Sequence, residues 1–516
     1  MQNCEHCGSS NLRNKGYRTT RSGVVRRYQC TDCGKCHSEF AADYQPIVEQ
    51  PQEKQPSVKL ISETIGLDGG YNGVVVTSCL NDTEIFTPFW KNLVNYCNYN
   101  NFKLLVIRNK YLNPSLMNGQ KDVTWPKECI PYFLDTTLKF GDKFKIIGDC
   151  NIQATASHPL TGIDGLSEGI TTIVGHPVLQ MKTLPVNKHK DPVILHSTGS
   201  ISLKTNYSAT KAGYRASFHH CYSAVVVSLN GEKFHIRQLL ADKTGCFHDL
   251  DEKWVDGVCS KSEVDGIYLG DEHVVFRDDK VSQVTFGENG IIETLRPKFI
   301  FRGDVLDCFS ISHHHENNFF ARWKKHNVSK MGNVLDELKE TTEYIKQTTP
   351  KFATSMLING NHESHLDKWL NMADPKQDLV NAKFYHHLMW FKLDGIERGC
   401  DKSAFAHYLD NFAGVGKNIQ ICPDGFSLHG INVSMHGDRG PNGARGSGQN
   451  LSKIGERSIV GHSHSPSVIA GTWVVGTASL LQMEYNSGPS SWMHAHCVIH
   501  KNGKRQMIFI IDGDWR

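Results

Sequence analysis

Residues 357–365 read LINGNHESH, an apolar run of strand character that stops in Gly360 and runs straight into Asn361, His362 and Glu363. Gly followed by Asn is ordinary turn chemistry, because both tolerate unusual backbone angles. A His and a Glu contribute nothing to a turn, so the stretch is a candidate for chemistry. Four other stretches in the C-terminal half share its design. GIYLGDEHVVF (266–276) carries Asp271 and His273, and KFIFRGDVLD (298–307) carries Asp304 with Asp307 three residues on. INVSMHGD (431–438) carries His436, and SIVGHSH (458–464) carries His462 and His464. An apolar strand that ends in a tight turn presents the next side chains at the carboxyl edge of its sheet, where open α/β sheets bind ligands. Asp271-x-His273 and His462-x-His464 each place two side chains on one side of an extended chain, since side chains alternate with period two. Taken singly, each motif has a plainer reading as a turn or a hydrogen-bonded core histidine. Together they supply what two cations sharing one phosphate require, which is a bridging carboxylate with neutral imidazoles and an amide around it.

Across residues 263–480 the series D-x-H, G-D-x-x-D, G-N-H-E, H-G and G-H-x-H resembles the calcineurin-like metallophosphoesterase superfamily, and its motif order is similar to the SbcD-like nuclease branch. The resemblance implies that Asp271, His273 and His464 hold one metal, that Asn361, His436 and His462 hold the other, and that Asp304 bridges them. His362 matches the position that approaches the scissile phosphate and helps the leaving oxygen depart, and Glu363 would orient its neighbours. It further implies two divalent ions, with Mn favoured and Fe, Zn or Mg open, that activate hydroxide for in-line attack on a phosphodiester. Protein phosphatases of the superfamily carry an Arg soon after the second motif and another after G-N-H. GDVLDCFS and GNHESH have neither, which argues against a phosphoprotein substrate. The nuclease branch has a His where this chain has Asp307, so its way of steering a DNA end does not carry over directly. With a ribbon in front and a long middle region, the chain is also similar to phage metallophosphoesterases, those of T5-like phages in particular, which implies degradation of host DNA.

The head of the chain carries its own signal. Cys4-x-x-Cys7 and Cys30-x-x-Cys33 are two close pairs on a 22-residue arm, the spacing of a zinc ribbon over residues 1–40. Cys36 and His37 compete for the fourth position. The arm and its margins hold Arg13, Lys15, Arg18, Arg21, Arg26 and Arg27 with Tyr17 and Tyr28 interleaved, a pattern suited to phosphates, with Arg26 and Arg27 as candidate DNA contacts. A ribbon used for protein contacts is the alternative. Residues 41–57 are polar, hold three Pro and read as a linker.

Residues 58–262 read as a mixed α/β domain of its own, with strands at 73–78, 102–107, 144–148 and 223–229, a helix over 82–98 and a hairpin turn at Asn230-Gly231. Residues 263–516 read as the metallophosphoesterase domain, a sandwich of mixed β-sheets flanked by helices, with a helix over 333–347. IIGDCN (146–151) and IVGHPV (173–178) imitate two of the motifs without their partners and read as ordinary strand ends. Beyond the motifs, SISHHHENNFFARWKKH (310–326) and the Gly-rich loop HGDRGPNGARGSGQN (436–450), with Arg439 and Arg445, are candidate contacts to a polynucleotide backbone.

A net charge of +3 is too small to announce a nucleic-acid binder by itself, and no apolar run approaches the ~18–20 residues of a membrane span. The N-terminus lacks the charged and apolar regions of a secretory signal, and sixteen Cys in so long a chain point to reduced thiols in a cytoplasm, that of the bacterial host if the chain is phage-encoded. The expected function is a dimetal-dependent DNA nuclease. The alternatives are a nucleotide phosphoesterase and a non-catalytic DNA-binding protein of host takeover. DNA is the expected partner, with a protein partner through the middle region or ribbon and a homo-oligomer left open.

Overall fold

A computed structural model describes residues 3–20, 23–40, 63–64, 70–112, 123–188, 190, 192–231, 233–312, 318–483 and 486–516. The linker expected at 41–57 and the three histidines at 313–315 lie outside the described residues. The chain divides into two compact units, Met1–Leu60 and Ile61–Arg516.

In the first unit, strands Leu12–Thr20, Gly23–Cys30 and Cys36–Phe40 form an antiparallel three-stranded sheet. The two Cys pairs sit on turns at one end of it, so four Sγ atoms converge within 4.8 Å of one another.

The second unit is a mixed α/β structure built of several sheets with helices. Its six-stranded sheet runs in the order Ile419–Ile421, Thr354–Ile358, Phe299–Gly303, Gly266–Tyr268, Ala495–Ile499, Arg505–Phe509. The first four strands are mutually parallel, so their carboxyl ends lie at one edge. Gly266–Tyr268, Phe299–Gly303 and Thr354–Ile358 are largely buried and mostly apolar because both faces are covered. Tyr268, Phe301, Met356 and Ile358 enter the central core. Their neighbours Ile267 and Ile300 pack under the helices Asp279–Phe286 and Ile291–Leu295. Leu357 packs with Val334–Gln347, Asn361–Met372 and Ala382–Glu397. Alternation along the strand thus sorts side chains between two cores.

The opposing sheet has eleven strands, and it corrects the expected domain division. Strands Ile431–Asn432, Arg457–Val460, Thr472–Val474 and Ser467–Ile469 come from the C-terminal half. They continue directly into Met181–Leu184, Val193–Ser197, Thr171–Val174 and Phe144–Ile147 of the middle region, through the antiparallel pairs Met181↔Val468 and Lys182↔Ser467. Val74, Leu105, Ile173, Phe301 and Trp473 belong to one hydrophobic core. The boundary placed between 262 and 263 therefore falls inside one compact unit. Sequence reading placed it there because the pattern of strands and helices repeats on both sides, and pattern alone does not show which strands share a sheet.

The local readings fare better. Gly73–Leu80 and Phe102–Asn109 are parallel neighbours joined by the helix Thr87–Asn100, and Ser223–Asn230 turns back into Lys233–Leu240 through Gly231 at φ +59°. Val334–Gln347 is the helix expected over 333–347.

Candidate metal centre

The five motifs meet where the carboxyl ends of the two sheets converge. Asp271 and His273 follow the strand Gly266–Tyr268, Asp304 follows Phe299–Gly303, and Asn361 and His362 open the helix that follows Thr354–Ile358. His436 follows Ile431–Asn432, and His462 and His464 follow Arg457–Val460 in the other sheet. Three groups of side chains each converge within 4.8 Å, namely Asp271 with Asp304 and His464, Asp304 with His436 and His462, and His273 with Asp304 and His362. Asp304 belongs to all three. The seven expected ligand residues are thus brought into one site, with Asn361 Oδ1 3.0 Å from His462 Nδ1.

Glycine answers for the tightness of this packing. A Cβ at Gly360 would lie 2.2 Å from Asp304 Oδ1, and one at Gly461 would lie 2.1 Å from Asp271 Oδ1. The glycines ahead of Asn361 and His462 are therefore the room the carboxylates occupy. The backbone is also forced. His273 (φ +40°), Asp304 (+42°), His462 (+70°) and His464 (+55°) all lie in the left-handed region, at roughly 1–3 kcal/mol each for a non-glycine residue. Cross-links hold them there. The His273 N–H donates to the Asp304 carbonyl at 2.8 Å, the Gly461 N–H to the His436 carbonyl at 2.7 Å, and the Thr477 hydroxyl to the Asp271 carbonyl at 2.8 Å.

The donor set fits two cations. His273 Nε2 and His464 Nε2 are 3.2 Å apart, Asp304 Oδ2 is 3.0 Å from His436 Nε2, and Asp271 Oδ2 is 3.2 Å from His464 Nε2. Lone pairs crowded in this way repel unless protons or metal ions stand between them. Asp271 Oδ1 and Asp304 Oδ1 are buried with no hydrogen-bond partner, an expense that a metal bond relieves. The titration behaviour says the same. Burial opposes charge on His436, but Asp304 and Asp271 outweigh it and push its pKa up to about 10. Burial likewise opposes ionisation of Asp304, yet His436 and His362 hold it well below the usual carboxylate range.

Around this centre lie residues that orient it, among them Asp307, whose role sequence reading missed. Asp307 is buried, and its Oδ2 accepts from His273 Nδ1 at 2.9 Å, which leaves His273 Nε2 turned toward the site. The Asp307 carbonyl accepts from His362 Nδ1 at 2.7 Å, which fixes the tautomer of that ring as well. Glu363 is fully buried, takes the N–H groups of Gly360 at 2.9 Å and Leu306 at 3.2 Å, and so ties two motifs together as expected of an orienting residue. Burial, then Asp304, pushes its carboxyl up to about 8.

Arg302, fully buried, forms a bidentate pair with Glu272 at 2.6 Å through both nitrogens and bridges the D-x-H loop to the neighbouring strand. The signal was an Arg inside the apolar run FIFRG and an acid inside DEH, since a buried Arg almost always has a partner.

Beside these residues lies a cavity of about 930 Å³ lined by Asp307, Asn361 and His362, with Phe276 and Phe309 packed edge to face at 5.1 Å, and with Lys188 and Lys324 also on its lining. Arg439 and Arg445 are not there. They close their loop as an antiparallel bridge, both exposed, and Arg439 lines a separate polar cavity with Lys368, Lys392 and Lys402. In the middle region the imitation motifs are ordinary strand ends. Asp149 accepts from Thr137, and His176 is saturated by Gln153 and Val178.

In the ribbon, Cys4 and Cys33 and likewise Cys7 and Cys30 stand 3.6 Å apart, a set fit for a structural zinc. The backbone N–H groups of Cys33 and Asp32 draw the Cys30 thiol down to about 7, whereas, against the pull of the Ser9 N–H, the neighbouring thiols push Cys7 up to about 12. Cys33 completes the set. His37 Nε2 stands 3.1 Å from Cys4 Sγ outside it, and Cys36 is exposed. Arg26 and Arg27 are successive residues of one strand, so they face opposite sides of the ribbon.

The chain is similar to Protein A1 of Escherichia phage T5, at 28% identity over 463 residues, which is 85% of this chain and 82% of that protein. No protein-family model matches the chain, and no solved structure matches it significantly. Among the described residues no helix is long and apolar enough to cross a membrane.

Proposed function

We propose that the chain is a dimetal phosphodiesterase of the calcineurin-like kind that cleaves a polynucleotide. The observation that carries this reading is the convergence of three groups of ligand atoms on one buried carboxylate, Asp304, with His362 at their open edge. Two bound divalent cations, Mn favoured, would supply Lewis-acid charge to the phosphate oxygens and acidify water. The chain's own residues would do the rest.

His362 Nδ1 donates to the Asp307 carbonyl, so its Nε2, 4.0 Å from Asp304 Oδ2, is the atom that gives a proton to the leaving oxygen. Asp307 keeps His273 Nε2 aimed inward, and Glu363 with the Glu272–Arg302 pair keeps the motifs in register. Lys188 and Lys324 offset charge on the phosphates flanking the scissile one. Similarity to a phage protein supports a phage relation, and in this reading the polynucleotide is host DNA. A second reading, a nucleotide phosphoesterase, has one observation in its favour, because Phe276 and Phe309 give the cavity beside His362 an apolar wall against which a base can pack.

The test is digestion of linear and circular duplex and of single-stranded DNA with Mn, Mg or EDTA, comparing the native chain with Asp304→Ala. Metal-dependent cleavage lost in the variant is the expected result. Hydrolysis of nitrophenyl phosphate esters alone, with every polynucleotide left intact, would overturn the nuclease reading and favour the nucleotide substrate.

A further inference from the structure

The helix Phe319–Asn327, sequence FFARWKKHN, has two faces with different work. At helical spacing, Asn318, Ala321 and Lys324 fall on one side and line the cavity at His362. Phe319 and Trp323 fall on the opposite side, Phe320 lies between the two faces beside Lys324, and the three rings are 64%, 54% and 81% exposed. Three neighbouring aromatic residues facing water are not core, and an isolated surface Leu would be unremarkable where these are not. The segment that carries them has one sign of exposed charge. Residues 318–330 hold Arg322, Lys324 and Lys330 at the surface and no acid, while Lys325 is buried and donates to the Ser310 carbonyl.

Aromatic rings interleaved with cations, continuous with a phosphodiesterase cavity, match the chemistry of an unpaired strand. Its bases offer flat faces for stacking and its backbone offers regular negative charge. A duplex offers the charge but keeps its base faces stacked inside, and an apolar protein partner has no use for the cations.

We propose that this helix is a landing for an unpaired nucleic-acid strand, which stacks its bases on Phe320 and Trp323 and passes its backbone over Lys324 into the cavity at His362. This deepens the phosphodiesterase reading and rests on it, because it names the substrate as a single strand or a frayed end. The rim of the cavity selects for it. Only a strand whose bases are free can use both the outer rings and the inner wall of Phe276 and Phe309.

The experiment is fluorescence anisotropy of the full-length chain in EDTA, where nothing is cleaved, with labelled oligothymidine, oligouridine and a blunt duplex. The native chain is expected to bind an unpaired strand more tightly than the duplex. Phe320→Ala with Trp323→Ala should weaken strand binding by ~5- to 150-fold per ring and leave duplex binding unchanged. Trp323→Phe, which keeps a stacking face, should restore most of it. Both side chains replaced are exposed, so the melting curves should coincide. A preference for oligothymidine or for oligouridine would say which backbone is recognised, and both outcomes support the landing.

Strand affinity unaltered in the double variant would overturn the proposal. So would a double variant that loses self-association while keeping its strand affinity, since the rings would then cover a second copy. Because cleavage is scored separately with Asp304→Ala, a chain that binds the strand through these rings and hydrolyses nothing would keep the landing and refute the phosphodiesterase.

Discussion

Gly360→Ala isolates the metal centre from the fold. Gly360 has φ −97° and ψ −171°, extended backbone that alanine adopts without strain. The added methyl meets only the site, at 2.2 Å from Asp304 Oδ1, 3.0 Å from Glu363 Oε2 and 3.1 Å from His436 Cδ2. Heavy atoms rest at about 3.5 Å, so the bridging carboxylate must retreat by ~1.3 Å. It has nowhere to retreat without leaving the point shared by three groups of ligands. A misplacement of ~1 Å in a catalytic constellation costs ~100-fold in rate.

The assay is hydrolysis of a nitrophenyl phosphodiester against Mn concentration, paired with the rise in melting temperature that Mn produces by binding the native state. The expected result is a rate lower by ~100-fold and a largely lost Mn-dependent rise, with the metal-free melting temperature near native. If the variant kept the native rate and the native Mn-dependent stabilisation, Asp304 would not lie where the site requires, and the bridging assignment would fall.

Four further outcomes are expected. His362→Ala should slow hydrolysis by ~100- to 10,000-fold while leaving Mn-induced stabilisation intact, because the side chain moves a proton and is not needed to hold metal; calorimetric Mn binding checks the second half. Arg302→Met leaves Glu272 buried without its partner and should lower stability by ~3–5 kcal/mol, measured by urea denaturation. In the ribbon, Arg26→Ala with Arg27→Ala should weaken DNA binding and flatten its dependence on salt, read from affinities at several salt concentrations. The fourth concerns pH. Burial lowers His176, His196 and His248 to about 4 and His496 and His500 to about 3. These pKa values lie below the unfolded value near 6.5, so the unfolded chain takes up protons first as pH falls. Stability should hold above pH 6.5 and drop between there and about 4, by up to ~1.4 kcal/mol per pH unit for each imidazole. A urea midpoint that stays flat from pH 7 to pH 5 would contradict that burial.

The candidate site was legible because its residues follow strands at short, regular offsets. Asp271, His273, Asp304, Asn361, His436, His462 and His464 are scattered over nearly two hundred residues, yet each sits just beyond an apolar run, and topology does the gathering. Asp307 and the Glu272–Arg302 pair were harder to assign, since their value lies in which neighbour they face. The domain boundary misled for a related reason. Sheet membership depends on edge pairing between Met181 and Val468, residues with nothing in their local sequence to announce a partner. Arg439 and Arg445 were charges on a loop, and sequence does not say which cavity a loop borders.

That edge pairing bears on how the chain can be cut and inherited. His462 and His464 hang from a sheet whose other half is the middle region, so a fragment beginning at 263 would carry every ligand and still expose the strand Ser467–Ile469 as a raw, unpaired edge. Such an edge templates association with other chains. The C-terminal half is thus no portable cassette. Any lineage that borrowed the metal motifs would have had to take the middle region with them, or find another strand to seal the seam.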